Sequence, residues 1–197
     1  MKYLILFSVL VILATLVCGV IPTSADMKIY NDVVRLHVLA NSDSEKDQAV
    51  KIRVRDEVLE YISDLVSSAP NAASAEKAIS ENISNVRAAA ERALSDMGKS
   101  GECSVSLTSE YYPQKTYDDI TLPSGNYASL KIAIGNAEGH NWWCVLYPAI
   151  CISSAKASSI IKQTGFSPDE IRILTDGDKP TYKLKFKIVE LLSGKSS

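Results

Sequence analysis

The sequence has few of the features that mark metalloproteins or nucleic-acid-binding proteins. It contains two histidines and four cysteines, and no two cysteines have the CxxC spacing of a structural zinc site. Its formal net charge is −2, so no strongly basic surface is expected to attract DNA or RNA. We therefore predict no metal, no cofactor and no nucleic-acid partner.

The sequence also lacks internal repeats, low-complexity segments and long linkers. Apolar residues make up 46% of the 197 positions and charged residues 22%, a composition typical of globular proteins. Neither a GxSxG motif nor a papain-like cysteine signature is present to identify a nucleophile. We expect one folded domain with a substantial core.

One long apolar run lies at residues 3–21 and is preceded by Lys2. Its length just spans a bilayer, and positive charge on its N-terminal side keeps that end in the cytoplasm. Thr23-Ser24-Ala25 supplies the small residues of a cleavage site before Asp26. Residues 1–25 are therefore either a cleaved signal peptide or a retained membrane anchor. In both cases we expect residues 26–197 to form a single exported domain.

Hydrophobic periodicity predicts helices in the first half of this domain. A short strand at 33–39 is followed by a helix at 45–67, capped by Ser42 with Glu45 or by Ser44 with Asp47. After Pro70-Asn71, a second helix is predicted at 72–97. Its many alanines permit close packing against the first helix as an antiparallel pair.

Alternating patterns predict strands in the second half. Segments 103–108, 127–134 and 142–150 suggest a three-stranded antiparallel meander. A short helix is predicted at 153–163, another begins near Ser167, and a final strand with a lysine-rich face is predicted at 182–188. The predicted fold class is α+β: an N-terminal signal or anchor helix, then a helix pair packed on a small, mainly antiparallel sheet.

Two polar features of the first half have alternative interpretations. His37 is of the residue type that most often serves as a general base, but a histidine on a strand is more often a structural or surface residue. Residues 41–44 could bind calcium or an anion, yet calcium loops need more carboxylates than this segment has. A helix cap is the favoured interpretation of the segment.

Two features of the second half concern packing and redox state. Trp142 and Trp143 should point to opposite sides of a strand, so one is either an exposed interface anchor or buried by a second layer. Cys144 and Cys151 bracket Pro148, and in an exported domain a disulfide is favoured over free thiols. Cys103 would then be unpaired.

Several long motifs carry a resemblance to a known family. The segment VRLHVLANSDS at 34–44 resembles the first signature of the stage II sporulation protein R family. The segments PSGNYASL at 123–130 and GHNWWCVLYP at 139–148, followed by Cys151, resemble its second signature. YYPQKTY at 111–117 is similar to the segment between them. The resemblance covers about residues 30–151 in order.

This resemblance implies a signalling protein of endospore-forming bacteria. Such a protein is exported from the forespore into the space between the forespore and mother-cell membranes. There it activates a membrane-embedded aspartic protease, stage II sporulation protein GA, which processes the sigma-E precursor. The resemblance implies no catalytic residues, and we expect partner contacts from Arg35, His37, Asn41, Asp43, Asn141, Trp142 and Trp143. The alternatives are an exported hydrolase that uses His37 and a module that binds the cell wall or the membrane.

Overall fold

The computed structural model describes residues 2–18, 24–99 and 103–175, which form an α+β fold of seven helices and six strands. The helices are α1 (Lys2–Cys18), α2 (Ser24–Asn31), α3 (Glu45–Ser67), α4 (Ala72–Glu81), α5 (Ile83–Asp96), α6 (Ala157–Gln163) and α7 (Pro168–Thr175). The strands are β1 (Val34–Leu39), β2 (Cys103–Tyr112), β3 (Lys115–Tyr117), β4 (Ile120–Leu122), β5 (Gly125–Ile134) and β6 (Asn141–Tyr147). The strand predicted at 182–188 lies outside the described residues.

The N-terminal helix α1 exposes the large apolar side chains between Tyr3 and Leu13. Among the described residues, no helix combines the length and the apolar character that a bilayer crossing requires. Of the predicted cleavage site, Thr23 lies outside the described residues, while Ser24 and Ala25 begin α2. Ile29 of α2 and Val33 after it are buried in the domain.

The main sheet has four strands in the order β2-β5-β1-β6. β1 runs parallel to β5 and antiparallel to β6, while β2 runs antiparallel to β5. The sheet is thus mainly antiparallel, but the predicted three-stranded meander is wrong because β1 lies between β5 and β6. Val34, Leu36 and Val38 are buried on one face of β1 and Arg35 on the other, and burial on both faces suits a central strand.

One face of the sheet is covered by α3, α4 and α5. The apolar stripe Val50, Val54, Val58 and Ile62 of α3 is fully buried against this face and against α5. The predicted bounds of α3 are confirmed, and the Ser44 hydroxyl caps it by accepting the Asp47 amide at 3.2 Å. Small alanines of α5 allow the helices to approach closely, as the sequence predicts.

The helix predicted at 72–97 is interrupted at Asn82, so the helical layer contains three helices rather than a pair. The Asn82 side-chain amide donates to the Ala78 carbonyl at 2.9 Å, and the Asn82 backbone amide donates to Ile79 at 3.1 Å. Such local hydrogen bonds compete with the regular helical pattern. The apolar spacing continues across the interruption, which explains why periodicity alone predicted one helix.

The other face of the sheet is covered over part of its length. A second apolar cluster there combines α2, the β3–β4 hairpin, α6 and α7 with Tyr112, Tyr127 and Val145. Towards the opposite end of the strands, Ser104, Ser106 and Asn141 are exposed. Strand alternation places these three on the same face as the cluster, so part of this face remains open.

Candidate functional site

A row of hydrogen-bonded polar side chains crosses the partly open face from β2 to β6. We call it the polar belt; its members are Glu110, Ser129, Lys131, His37 and Asn141. The helix-covered core contains direct strand neighbours of His37, Ser129, Lys131 and Asn141. In β2 it contains Cys103, Val105 and Leu107, which alternate with the even-numbered residues that include Glu110. All five belt side chains therefore point away from the helices. The belt therefore connects all four strands of the sheet.

Glu110 is the centre of the belt. Its Oε1 accepts the Lys131 ammonium at 2.7 Å, and its Oε2 accepts the Ser129 hydroxyl at 2.8 Å. The His37 Nδ1 lies 3.1 Å from the same Oε2, and the His37 Nε2 lies 2.9 Å from the Asn141 Oδ1. The side chain of His37 is 12% exposed and that of Lys131 is 37% exposed, so the belt is partly accessible to solvent.

The electrostatic state of Glu110 follows from these contacts. Burial raises the pKa of Glu110, but hydrogen bonds from Lys131, Ser129 and His37 together outweigh burial and hold the pKa below its ordinary value. Glu110 is therefore ionised at neutral pH and orients its three partners. Such an arrangement presents fixed charges and hydrogen-bonding groups to anything that approaches the face.

Trp143 extends the belt with an aromatic surface. Its ring centre lies 5.9 Å from that of His37 and 6.1 Å from that of Tyr112. The Lys115 ammonium lies 5.7 Å from the indole. Trp143 is half-buried, so one part of the ring packs on the sheet and the rest faces solvent.

The belt does not have the order of groups that a serine nucleophile needs. In a Ser-His-acid arrangement the imidazole lies between the hydroxyl and the carboxylate. Here the Glu110 carboxylate lies between the Ser129 hydroxyl and the His37 imidazole, and Ser129 is fully buried. His37 is thus not placed to take a proton from Ser129. No group of His, Cys, Asp and Glu side chains suited to a metal ion occurs among the described residues.

Arg35 lies on the same face as the belt, beneath the second apolar cluster. Its side chain is fully buried, and its Cζ lies 3.8 Å from the Tyr112 ring centre and 4.9 Å from that of Tyr127. Its Nη2 donates to the Tyr117 hydroxyl at 2.5 Å. Burial raises the pKa of Tyr117, so the phenol is neutral and provides no counter-charge.

Asn41 belongs to a different structure, the turn between β1 and α3. Asp47 collects hydrogen bonds from the Asn41 amide at 2.8 Å, the Lys99 ammonium at 2.7 Å and the Ser42 hydroxyl at 2.6 Å. Together these bonds hold the pKa of Asp47 well below its ordinary value. The Asn41 Oδ1 also accepts the Asn136 amide at 3.0 Å, which ties the turn to the β5–β6 connection.

Asp43 forms a second link between these two loops. Its carboxylate accepts the His140 backbone amide at 2.6 Å and contacts the His140 imidazole, which lowers the pKa of Asp43. Gly139 packs so closely that an added Cβ would lie 2.3 Å from the Ser42 carbonyl oxygen. We call residues 40–44 and 135–140 together the loop brace. In the described residues, Asn41 and Asp43 hold this brace together.

Trp142 points to the face opposite Trp143, as alternation along a strand predicts. It packs against the helix-covered core, with the Arg55 guanidinium 4.2 Å from its ring centre. The neighbouring Cys144 is joined to Cys151 by a disulfide with a Cα–Cα distance of 6.1 Å. Cys103 is free and buried, and burial raises the pKa of its thiol to about 11.

The structure thus divides the seven predicted contact residues. Arg35, His37, Asn141 and Trp143 share one face, Asn41 and Asp43 lie in the loop brace, and Trp142 lies on the opposite face. Sequence reasoning missed Glu110, Ser129 and Lys131. A signal was present for two of them, since Glu110 is the only charged residue in β2 and Lys131 the only one in β5.

Comparison with known proteins gives consistent results. The family model described as Stage II sporulation protein R (spore_II_R) matches residues 30–157, which include the belt and the brace. Stage II sporulation protein R of Bacillus subtilis (strain 168) is 32% identical over 133 residues, covering 68% of this chain and 59% of that relative. The chain therefore spans less than two thirds of that relative's length. No solved structure matches.

Proposed function

Because the chain belongs to the stage II sporulation protein R family, we propose that it is a signalling protein of endospore formation. In this proposal it is made in the forespore and exported into the space between the forespore and mother-cell membranes. There it activates the membrane-embedded aspartic protease stage II sporulation protein GA, which then processes the sigma-E precursor. It acts by contact and not by catalysis.

Three features support export. The apolar side chains of α1 are exposed, and exposed apolar surface of this kind is hidden in a membrane or removed with a signal peptide. The Cys144–Cys151 disulfide is of a kind that persists in oxidising compartments outside the cytoplasm. Lys2 before the apolar run favours an N-terminus that stays in the cytoplasm.

The main support for the proposed contact surface is the polar belt together with the neighbouring Trp143. Its groups are preorganised by their own hydrogen bonds, so a partner does not have to order them on binding. Half-buried tryptophans surrounded by polar groups are frequent anchors of protein interfaces. We therefore propose that the protease contacts His37, Lys131, Asn141 and Trp143. Arg35 is buried and contributes differently, as argued below.

A pair of tryptophan substitutions provides a matched test. Trp142 and Trp143 are adjacent and half-buried but lie on opposite faces. We expect Trp143→Ala to abolish sigma-E precursor processing in a sporulating strain that depends on this chain. We expect Trp142→Ala to preserve processing when the two variants are compared at equal protein levels by immunoblotting.

Further outcomes discriminate recognition from folding. Lys131→Glu and Asn141→Ala should reduce co-purification of the full chain with the protease, because both side chains are at the accessible part of the belt. Normal processing in Trp143→Ala at normal protein level would refute the proposed surface. If the protein level falls only in Trp143→Ala, then Trp143 is needed for folding. Lys131→Glu then tests whether this surface contacts the protease.

A cell-wall-binding role is the second candidate, because Trp143 lies beside hydrogen-bonding groups of the kind that hold sugars against an aromatic ring. Co-sedimentation of the full chain with purified peptidoglycan tests it. Binding that is lost in Trp143→Ala and kept in Trp142→Ala would favour this role. Absence of binding would leave the signalling proposal as the sole account of the surface.

A further inference from the structure

Arg35 is a fully buried cation with most of its hydrogen-bonding capacity unused. A guanidinium has five N–H donors, yet among the described residues it has one hydrogen-bond partner, the Tyr117 hydroxyl at 2.5 Å. The Nε and Nη1 atoms are buried and have no hydrogen-bond partner there. Buried charged groups are normally paired, so this arrangement requires an explanation.

Within residues 2–18, 24–99 and 103–175, no carboxylate forms an ion pair with Arg35. Glu110 precedes Tyr112, whose ring lies under the guanidinium, but both Glu110 oxygens are bound by Lys131, Ser129 and His37. The rings of Tyr112, Tyr117 and Tyr127 stabilise the cation through their faces. Ring faces do not accept the N–H groups that lie in the guanidinium plane as an oxygen would.

We propose that Arg35 is the binding residue for a carboxylate supplied by an acidic side chain of a protein partner. A planar carboxylate matches the planar guanidinium and can accept two of its N–H groups at once, which the faces of the neighbouring tyrosine rings cannot do. Lys115 on the hairpin and Lys131 in the polar belt add positive charge to this side of the sheet. The identity of that partner rests on the proposed function, whereas the site itself is testable without it.

The β3–β4 hairpin covers the site and provides the route of entry. Its two strands have three residues each and pair as strands only with one another. The hairpin is therefore held to the main sheet by the side chains of Ile120 and Leu122 in the second apolar cluster and not by backbone pairing. Tyr117 lies on this hairpin, and its hydroxyl is the hydrogen-bond acceptor that the described part of the chain provides for Arg35. Displacing Tyr117 exposes the guanidinium and leaves a third nitrogen free for the incoming carboxylate.

The test measures the NMR signal of the Arg35 side chain itself. The ¹⁵N-labelled full chain, purified in a nonionic detergent, is titrated with sodium acetate at constant ionic strength maintained with sodium chloride. We expect the Arg35 Nε–H resonance to shift downfield and to saturate, because a carboxylate replaces an empty position. An unchanged resonance, or an equal shift with chloride alone, would overturn the proposal.

Two variants and a second probe complete the experiment. Tyr117→Phe should bind acetate more tightly than the unmodified chain, since the competing phenol oxygen is gone. Arg35→Met should lose the acetate-dependent rise in thermal unfolding temperature; a rise of the same size would overturn the proposal.

A peptide that contains glutamate and has chemically blocked, uncharged ends distinguishes a protein side chain from a free small carboxylate as the ligand. A saturable shift with the peptide supports a protein side chain as ligand, and a shift with acetate alone overturns that assignment. Failure of the protease contact with a positive acetate result would reject only the proposed function.

Discussion

Replacing Gly139 by alanine should lower the free energy of unfolding by about 3 kcal/mol, because the loop brace has no room for a Cβ. The added atom would lie 2.3 Å from the Ser42 carbonyl oxygen and 2.6 Å from the carbonyl carbon. Both are backbone atoms, so no change of rotamer relieves the overlap. The two loops of the brace must separate instead.

The magnitude follows from the hydrogen bonds that separation breaks. Two backbone bonds join the loops beside Gly139, from Gly139 N to Ala40 O at 3.0 Å and from Glu138 N to Asn41 O at 3.3 Å. A third bond, from Lys51 Nζ of α3 to His140 O at 2.9 Å, holds the second loop against the helix. Each contributes about 1 kcal/mol to stability. For a domain of this size, the loss corresponds to a fall in Tm of roughly 6–12 °C.

Gly98→Ala is the matched control. Gly98 has a φ of +66° and open space around the position of a Cβ, so an alanine there suffers only from the left-handed backbone. That cost is about 1 kcal/mol. Urea denaturation of the full chain, followed by circular dichroism, measures both variants under identical conditions. A loss in Gly139→Ala no larger than that in Gly98→Ala would refute the close-contact argument.

Three further predictions concern single groups. Because the pKa of Glu110 is lowered in the folded state, its ionised carboxylate stabilises the fold above its ordinary pKa, and this stabilisation is lost as pH falls through the pKa of the folded state. Glu110→Gln should therefore make the free energy of unfolding less dependent on pH on the acid side. An unchanged dependence would contradict the belt geometry. The Cys103 thiol, with its pKa raised to about 11, should resist iodoacetamide at pH 8 until the chain is unfolded, as peptide mass spectrometry would show. Removing the disulfide by Cys144→Ser with Cys151→Ser should lower stability by about 2.5 kcal/mol, from the short loop it closes, and an unchanged urea midpoint would argue against that.

Local elements of the fold were predictable because their determinants are close in sequence. The bounds of α3 follow from its apolar stripe and from the Ser44 cap, and both are confirmed. The strands predicted from alternation at 33–39 and 127–134 correspond to β1 and β5, although β1 begins at Val34 and β5 already begins at Gly125. The helix interruption at Asn82 was missed because an uninterrupted apolar spacing hides a side chain that bonds to its own backbone.

The order of the strands depends on contacts between distant segments, and local sequence patterns do not indicate which of these segments pair. The turn residues of 135–141 favour a hairpin between β5 and β6, but β1 occupies the position between these strands. The same limit applies to the site. His37 and Trp143 are conspicuous as residue types, whereas Glu110 becomes significant only when β2 and β5 bring it beside Ser129 and Lys131.

The central position of β1 has a consequence for the order in which the domain can form. Val34 pairs with Ala128 on one side and with Tyr147 on the other, so β1, the first of the described strands, cannot complete its pairing until β5 and β6 are present. In a polypeptide that emerges N-terminus first, β1 has no strand partners through most of synthesis or transit. Because its partners are distant in sequence, we expect the domain to fold slowly. Chains that stop short of β6 should stay protease-sensitive, whereas chains that include β6 can complete the four-stranded sheet.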